Sequence, residues 1–505
     1  MSKKYLLGFD CGTYESKGVI CDYNGGIKAT AVSKHILKVP KPGYAEHDPI
    51  NDWWYDFKRI VRELLEKSNI SADEIAGIGI STIMAAITPV DENCNPLRNA
   101  ILYGIDTRCV KQAEELNEQI GIDRMTKISG ATCTVEAYGA KIKWIKDNEP
   151  EIFRKTKKFT IASGFLTAKL TGRFCVDKYS AMSSQPMIDY RTMTWSDELC
   201  EYVCPKEMLP EIVNTTDVIG TVTKEASEEI GLAEGTPVIA GTTDAAAEAV
   251  SVGVVEPGDT MLMYGSTWFM EHLTDTFCTD TGLWSGVYVL GDLYTITSGM
   301  ATTGSLTRWI RDNFAKELIE QEKINGKNAY TELFKEAENI PAGSDGIIVL
   351  PYFSGERMPI QDPDAKGMFF GLDISHTRGH IIKAVFEGIG YGICQNLDMI
   401  RESGLQLNNV MAVGGGTKSR LWIQTVSDIC GVTQIVPKVT IGASYGDAIL
   451  AGLGVGLIKS SKNIKDWIQA DYTTEPDPNN RDIYDKYKKY YEELYLLTKH
   501  IMHDL

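Results

Sequence analysis

The 505-residue sequence has no CxxC pair, no Lys/Arg-rich run and no stretch near the roughly 18 apolar residues of a membrane span. Each absence excludes a class of function. The 11 cysteines are scattered, and many sit in apolar settings such as Cys21, Cys394 and Cys430. The closest pair, Cys200 and Cys204, has no His or second Cys pair beside it. Structural zinc is not expected, and the thiols read as reduced, as in a cytoplasmic protein. With a net charge of −17 and no basic run, nucleic acid is not an expected partner. Neither is a membrane, and the N-terminal MSKKYLLGFD has no apolar stretch of signal-peptide length. A Walker P-loop is missing, because Thr417 rather than Gly precedes Lys418. The glycines of Gly452-Leu453-Gly454-Val455-Gly456 end an apolar helix instead of following a strand, so a dinucleotide site fails on context. An acidic chain that binds a polyanion must gather its cations locally or recruit a metal.

What is present suits roughly two to four domains, each with its own core. The first half is organised around YLLGFDCGTYESKG, residues 5–18. Tyr5 to Phe9 reads as a buried strand, and Asp10, Gly12, Thr13 and Lys17 then place a carboxylate, a glycine, a hydroxyl and an ammonium on a hairpin tip. That mixture suits a phosphate chain with Mg²⁺: the backbone approaches closely, amides and hydroxyl donate, and the carboxylate holds the metal. An ordinary tight turn is the alternative. Residues 52–67 have apolar side chains at helical spacing, with Asp52 as a cap. Residues 74–81 read as a buried strand running out to Met84, and a strand at 100–103 runs out to Asp106 and Arg108. Ligands of α/β sheets bind at such strand ends. Asp106 can accept from substrate hydroxyls, and Arg108 can donate to them or pair with a carboxylate. Asp106 as a helix N-cap is the alternative. A helix at 141–148 is stopped by Pro150, and 199–209 reads as peripheral. In PVIAGTTDAAAE, residues 237–248, Asp244 opens an alanine-rich helix. It is either a cap or a general base taking the proton of an attacking hydroxyl.

Glu256-Pro257-Gly258-Asp259 marks a boundary between an N-terminal domain, 1–254, and a C-terminal domain, 255–505. Beyond it TMLMYGSTWFM repeats the strand and tip, with Gly265, Ser266 and Thr267 and no carboxylate. Each half thus opens with a β-meander carrying a Gly-hydroxyl tip, which argues for two copies of one fold facing each other across a cleft. A helix over 301–314 is entered through Gly304. A long helix over 380–401 has Gly388, Gly390 and Gly392 for close packing. VMAVGGG, 410–416, is a strand ending in three glycines before Ser419 and a helix, a junction whose exposed amides suit an anion or nucleotide. The tail over 481–500 reads as a solvated helix.

Together these pieces resemble the FGGY family of carbohydrate kinases, from about Tyr5 to Gly456. The most specific stretch is GMFFGLDISHTRGHIIKAVFEG, 367–388, similar to the second family signature in its spacing from Gly371-Leu372 to His380 and Glu387. KIKWIKDN matches the latter part of the first signature, while 136–140 departs from it. The resemblance implies an α/β fold of two ribonuclease-H-like, actin-like ATPase domains that close over a sugar and MgATP. It implies Asp10, Gly12, Thr13 and Lys17 at one phosphate loop and Gly265, Ser266 and Thr267 at the other. Gly304, Gly415, Gly416 and Ser419 match nucleotide positions, Asp244 the catalytic base, Asp106 a sugar contact, and Asp10 with Asp244 the Mg²⁺ site. Within the family, xylulose kinases are most similar. Where they read Gln-Met-His-Gly this sequence has Ile83-Met84-Ala85-Ala86, and Tyr103 replaces the usual Trp. The substrate-facing set is then Met84, Tyr103, Asp106, Arg108 and Asp244.

The expected activity is ATP-dependent phosphorylation of a terminal hydroxyl on a xylulose-like ketopentose. Gluconate, ribulose and glycerol- or erythritol-type polyols are alternative acceptors. Non-kinase actin-like ATPases need a partner domain or polymer contact, and sugar-sensing repressors need a DNA-reading helix pair. No stretch here reads as either, and assembly as a homodimer stays open.

Overall fold

In the computed structural model, which describes residues 4–278, 281–439 and 441–505, the opening stretch forms an antiparallel meander. Its strands are Tyr5–Cys11 (β1), Glu15–Asp22 (β2) and Ile27–Lys34 (β3). β1 is buried on both faces from Leu6 to Cys11, as a central strand must be. Its other edge pairs in parallel with Ile75–Thr82 (β4), which is also buried along its length. Val218–Thr221 (β5) and Pro237–Ile239 (β6) complete the order β5-β6-β4-β1-β2-β3. A parallel pair needs a crossover, and the helix Tyr55–Ser68 lies within it, burying Phe57, Ile60, Val61 and Leu64.

A second sheet repeats the plan. Asp259–Tyr264 (β7), Trp268–Thr274 (β8) and Tyr294–Met300 (β9) form a meander, and β7 pairs in parallel with Asn409–Val413 (β10). Gln434–Pro437 (β11) and Ala470–Thr474 (β12) extend it, giving β9-β8-β7-β10-β11-β12. This is the duplicated α/β plan that the two tip motifs imply, in the actin-like form that the family resemblance implies. The helix Arg378–Glu402 crosses the core of this copy, and a Cβ on Gly388 would stand 2.3 Å from the Val349 carbonyl oxygen.

The compact units do not follow the chain division expected at 254/255 throughout. The chain up to Val255 is joined by Gly286–Leu293 and Ile441–Trp467, and the remainder forms the second unit. The helix Ala443–Gly454 belongs to the first unit because two strand glycines let its backbone lie directly on β1 and β4. A Cβ on Gly8 would meet the Ser444 oxygen at 1.8 Å, and one on Gly79 the Asp447 oxygen at 2.1 Å.

Three local expectations are corrected. The C-terminal helix Arg481–Asp504 is not merely a solvated cover: it buries Tyr484, Tyr491, Tyr495 and Met502 in the second unit's core. Its Lys- and Glu-rich remaining face masked that stripe. Residues 199–209 are not peripheral, since Leu199, Cys200, Val203, Cys204 and Leu209 are all buried. Asp52 does not cap the helix after it. Asp48 accepts from the Ile50 and Asn51 amides and caps a π-helical turn, Pro49–Trp54, that runs into Tyr55–Ser68. The helix Tyr138–Asn148 does stop before Pro150, as expected, and Pro150 opens the next one, Pro150–Lys155, at a position where a missing N–H costs nothing. All 11 cysteines are free. Among the described residues no helix is long and apolar enough to cross a membrane.

Candidate active site

Strand register assembles the first-unit site. Asp10, near the end of β1, faces Lys17 across the antiparallel pair and Ser81 across the parallel one. The short strand Thr242–Thr243 pairs with Ser81 and Thr82, which brings Asp244, the first residue of the helix Asp244–Ser251, to the same sheet end. Asp244 is half-buried, and its Oδ1 accepts from the Ala245 amide at 2.8 Å. Glu248 follows one helical turn later. Asp447 reaches in from Ala443–Gly454, and the Ser81 hydroxyl lies 2.8 Å from its Oδ2 and 3.1 Å from Asp10 Oδ1.

Burial dominates the electrostatics here. It pushes Asp10 up to about 8, with repulsion from Asp244 adding and Ser81 and Lys17 opposing. It pushes Asp244 up to about 6 against the pull of backbone amides. Glu248 rises to about 7, with Lys17 opposing burial. Asp447 is held well above the carboxylate range by burial and by Asp10. Asp447 Oδ1 is buried with no hydrogen-bond partner among the described residues. Four carboxyl groups that resist ionising, around one lysine, form a site that a cation would stabilise. No set of three or more protein ligands is arranged to enclose an ion among the described residues. The oxygen donors here, with the unpartnered Asp447 Oδ1, fit a cation that takes the rest of its coordination from water and phosphate, as Mg²⁺ does.

Of the expected substrate-facing residues, Met84 is 37% exposed and accepts from the Ser183 hydroxyl at 3.2 Å. The Tyr103 hydroxyl lies 3.0 Å from Thr13 Oγ1, tying this strand end to the first tip. Asp106 and Arg108 are placed differently from expectation. Both side chains are fully enclosed and form a bidentate pair. Asp106 also accepts from the Ala45 amide at 2.7 Å, and Arg108 reaches Glu46 at 2.8 Å and lies over the Tyr44 ring. Arg108 thus takes its carboxylate-pairing role. Asp106 is not an N-cap either, since the next helix, Val110–Ile120, starts beyond it.

In the second unit a cavity of about 900 Å³ brings Gly265, Ser266, Gly304, Gly415, Gly416 and Ser419 to one wall. Thr267 closes the tip, its carbonyl accepting from the Gly265 amide at 3.0 Å. The amides of Thr303, Gly304 and Ser305 donate to the carbonyls of Ser266 and Gly265, fixing the tip against the helix Gly304–Phe314. A Cβ on Gly304 would stand 2.3 Å from the Gly265 oxygen, so only glycine fits. Gly414 adopts φ +92 where it packs on Tyr264, and Ser419 caps the helix Arg420–Cys430. Tyr330, Phe334 and Trp422 supply an apolar wall, and Arg308, Lys418 and Arg420 supply cations. An aromatic wall beside glycine turns and cations suits a base with attached phosphates.

Sequence reasoning missed Glu248, Asp447, Arg308, Lys418 and Arg420 as site residues. Glu248 had a signal, standing four residues after Asp244 on the same helical face. Asp447 had another, as a lone carboxylate in the apolar run ASYGDAILAG.

Comparison with known proteins adds the following. The N-terminal domain model of the FGGY family of carbohydrate kinases matches residues 5–251, and the C-terminal domain model matches 261–455. A xylulose kinase of Staphylococcus epidermidis is 29% identical, covering 100% of this chain and 99% of its own. A gluconokinase of Bacillus subtilis is 28% identical over 94% of this chain and 92% of its own. The crystal structure of xylulose kinase from Rhodospirillum rubrum superposes with a TM-score of 0.91 at 28% identity, covering 99% of this chain and 100% of that one.

Proposed function

We propose how this chain, which belongs to the FGGY family of carbohydrate kinases and is an ATP-dependent sugar kinase, divides its reaction among its residues. The second-unit cavity takes ATP. The phosphates lie at Gly265-Ser266-Thr267 and at the Gly415-Gly416 turn, and the base lies towards Tyr330 and Phe334. The first unit holds the acceptor sugar near Met84 and Tyr103. Asp106 and Arg108 act from behind as an enclosed brace: the Asp106 amide donates to the Tyr103 carbonyl at 2.9 Å. Asp244 accepts the proton of the attacking hydroxyl. The observation that carries this role is its place at a helix start, half-buried beside Asp10, with its carboxyl held near 6. A base of that pKa is ionised at neutral pH yet basic enough to take a proton as the oxygen attacks.

Asp10 and Asp244 are the residues that would hold Mg²⁺, largely through water. The ion would supply charge neutralisation on the transferring phosphoryl group. The Gly12-Thr13 tip and Lys17 contribute donors to the same phosphate. Little covalent work remains for the protein, so positioning and electrostatics account for most of the acceleration.

The acceptor we favour is a ketopentose phosphorylated at a terminal hydroxyl, since relatives spanning the whole chain carry the name xylulose kinase. An aldonate such as gluconate is the second reading, favoured by the B. subtilis relative and by Ala85 where a sugar-binding His would stand. A coupled ADP-release assay over pentuloses, aldonates and polyols separates them. Activity on gluconate alone would remove the ketopentose and leave the kinase. For the base, Asp244→Asn is expected to lower kcat by ~10²–10⁴ with folding intact. Near-native turnover would take Asp244 out of its role.

A further inference from the structure

The first hairpin tip is held from behind by two histidines. His35 Nε2 lies 3.0 Å from the Gly12 carbonyl oxygen, and His47 Nε2 lies 3.0 Å from that of Thr13. A trans peptide is planar, so its C=O and the following N–H point opposite ways. Drawing the Gly12 and Thr13 carbonyls inward therefore aims the Thr13 and Tyr14 amides outward. Among the described residues neither amide donates to another group.

The two rings are not equivalent. His35 Nδ1 meets Asp56 Oδ2 at 2.8 Å, while its Nε2 meets a carbonyl. Asp56 already accepts from the hydroxyls of Ser16 at 2.8 Å and Ser33 at 2.5 Å, so it is filled by donors and ionised. A ring between two acceptors makes both bonds only when both nitrogens carry hydrogen. His47 is constrained the other way. The Trp53 indole can only donate, and it does so to His47 Nδ1 at 3.0 Å, leaving the hydrogen on Nε2 for Thr13. The rings stand 4.8 Å apart and nearly perpendicular, so a second positive charge there would be repelled. The remaining charged or titratable neighbours are Asp52 and Arg59 from the helical stretch, Lys38 from the loop after β3, and Cys11 beside Ser16. Burial is the largest influence on both rings. Asp56 overcomes it and holds His35 above its ordinary value, whereas burial together with the charge on His35 pushes His47 down to about 4.

We propose that His35 is a positioning residue for phosphoryl transfer: as a buried imidazolium it locks the Gly12–Thr13 tip so that the Thr13 and Tyr14 amides face the phosphate, with neutral His47 as an uncharged second strut. The proposal rests on the reading of that tip as a phosphate contact. A fixed positive charge behind the tip also favours an anion in front of it.

Isotope-labelled histidine in the full-length protein tests the protonation directly by NMR. At about pH 7.5, His35 is expected to show both nitrogens protonated and to titrate above the ordinary ~6.5, while His47 stays a neutral Nε2–H tautomer. A neutral His35 at that pH overturns the proposal, whatever any variant does. In kinetics, His35→Gln is expected to raise KM for MgATP about 10-fold and to lower kcat, leaving KM for the acceptor within about twofold. An unchanged KM for ATP with only less active enzyme would make His35 merely structural and overturn the proposal. His47→Gln keeps a neutral N–H donor and is expected to lose less than His35→Gln; equal losses would overturn the asymmetry. Thr13→Val separates the two layers. If Thr13→Val and His35→Gln both leave the ATP parameters unchanged, the phosphate-tip reading fails. If Thr13→Val is impaired and His35→Gln is not, the His35 proposal alone fails.

Discussion

The two hairpin tips share a backbone plan and oppose each other in charge. β1 carries Asp10 one residue before its end, and around it stand Asp244, Glu248 and Asp447. β7 ends with Tyr264, whose hydroxyl donates to Gln434 at 2.6 Å and whose ring meets Trp422 edge-on, so that strand end belongs to the core. The cavity beside the second tip carries Arg308, Lys418 and Arg420. One copy of the fold concentrates carboxylates that resist ionising, and the other concentrates glycines and cations. The scaffold fixes where the tips stand, and the side chains added at each decide what it can bind. On the proposed reading the carboxylate cluster takes a cation and a proton, and the glycine-lined cationic cavity takes a phosphate chain.

The largest effect that tests this contrast is loss of the Asp10 charge. Asp10→Asn keeps the shape and the contact to Ser81 but removes a carboxylate that the cation would meet. We expect kcat to fall by about 10²–10³ and the Mg²⁺ dependence to move to higher concentration. Wild-type turnover across a Mg²⁺ titration would erase the distinction between the tips. A smaller effect distinguishes the glycines. Gly304→Ala drives a methyl group to 2.3 Å from backbone oxygen, whereas a Cβ on Gly12 meets only the Glu15 oxygen, at 3.0 Å. Gly304→Ala is expected to raise KM for ATP about 10-fold without moving KM for the acceptor. Gly12→Ala should cost less in ATP binding, and the reverse order would show the first tip to be the tighter one.

Much of this contrast was legible in the chain. Asp10-Cys11-Gly12-Thr13 and Tyr264-Gly265-Ser266-Thr267 each follow an apolar run, and one has the carboxylate while the other lacks it. The duplicated meander could be read from those two stretches because period and turn chemistry are local. Three things were not legible, for one reason: they depend on packing between distant segments. Asp447 joins Asp10 only because Gly8 and Gly79 let a late helix lie on the first sheet. Which of its two readings Arg108 takes is decided by Tyr44, Glu46 and Asp106, which enclose it so that it pairs with carboxylates inside the unit instead of gripping a ligand. Arg481–Asp504 averages as polar, yet its aromatic stripe at Tyr484, Tyr491 and Tyr495 fills a core that no local pattern announces.

The smallest expected effect lies in stability and follows from the sign of the carboxyl shifts. Asp10, Asp244 and Glu248 have folded-state values raised to about 8, 6 and 7, above unfolded values of 3.8, 3.8 and 4.5. A raised carboxyl contributes stability that is complete below about pH 4 and is lost as pH climbs through those values, because the unfolded chain ionises first. The metal-free protein should therefore lose stability between about pH 4 and pH 8. Asp447→Asn removes one member of the repelling set while its amide oxygen keeps an acceptor for the Ser81 hydroxyl. Its Tm should exceed that of the wild type at about pH 8 by roughly 2–4 °C for each kcal/mol relieved, and should converge with it near pH 4. Added Mg²⁺ should narrow the gap at high pH, since the wild type has more repulsion for a cation to offset. Ser266→Ala, in the cavity of the second unit, keeps the whole cluster, so its Tm difference from the wild type should change with neither pH nor Mg²⁺. Equal behaviour of the two variants would mean that the carboxylate cluster is not under electrostatic stress, and the opposition between the tips would then rest on shape alone.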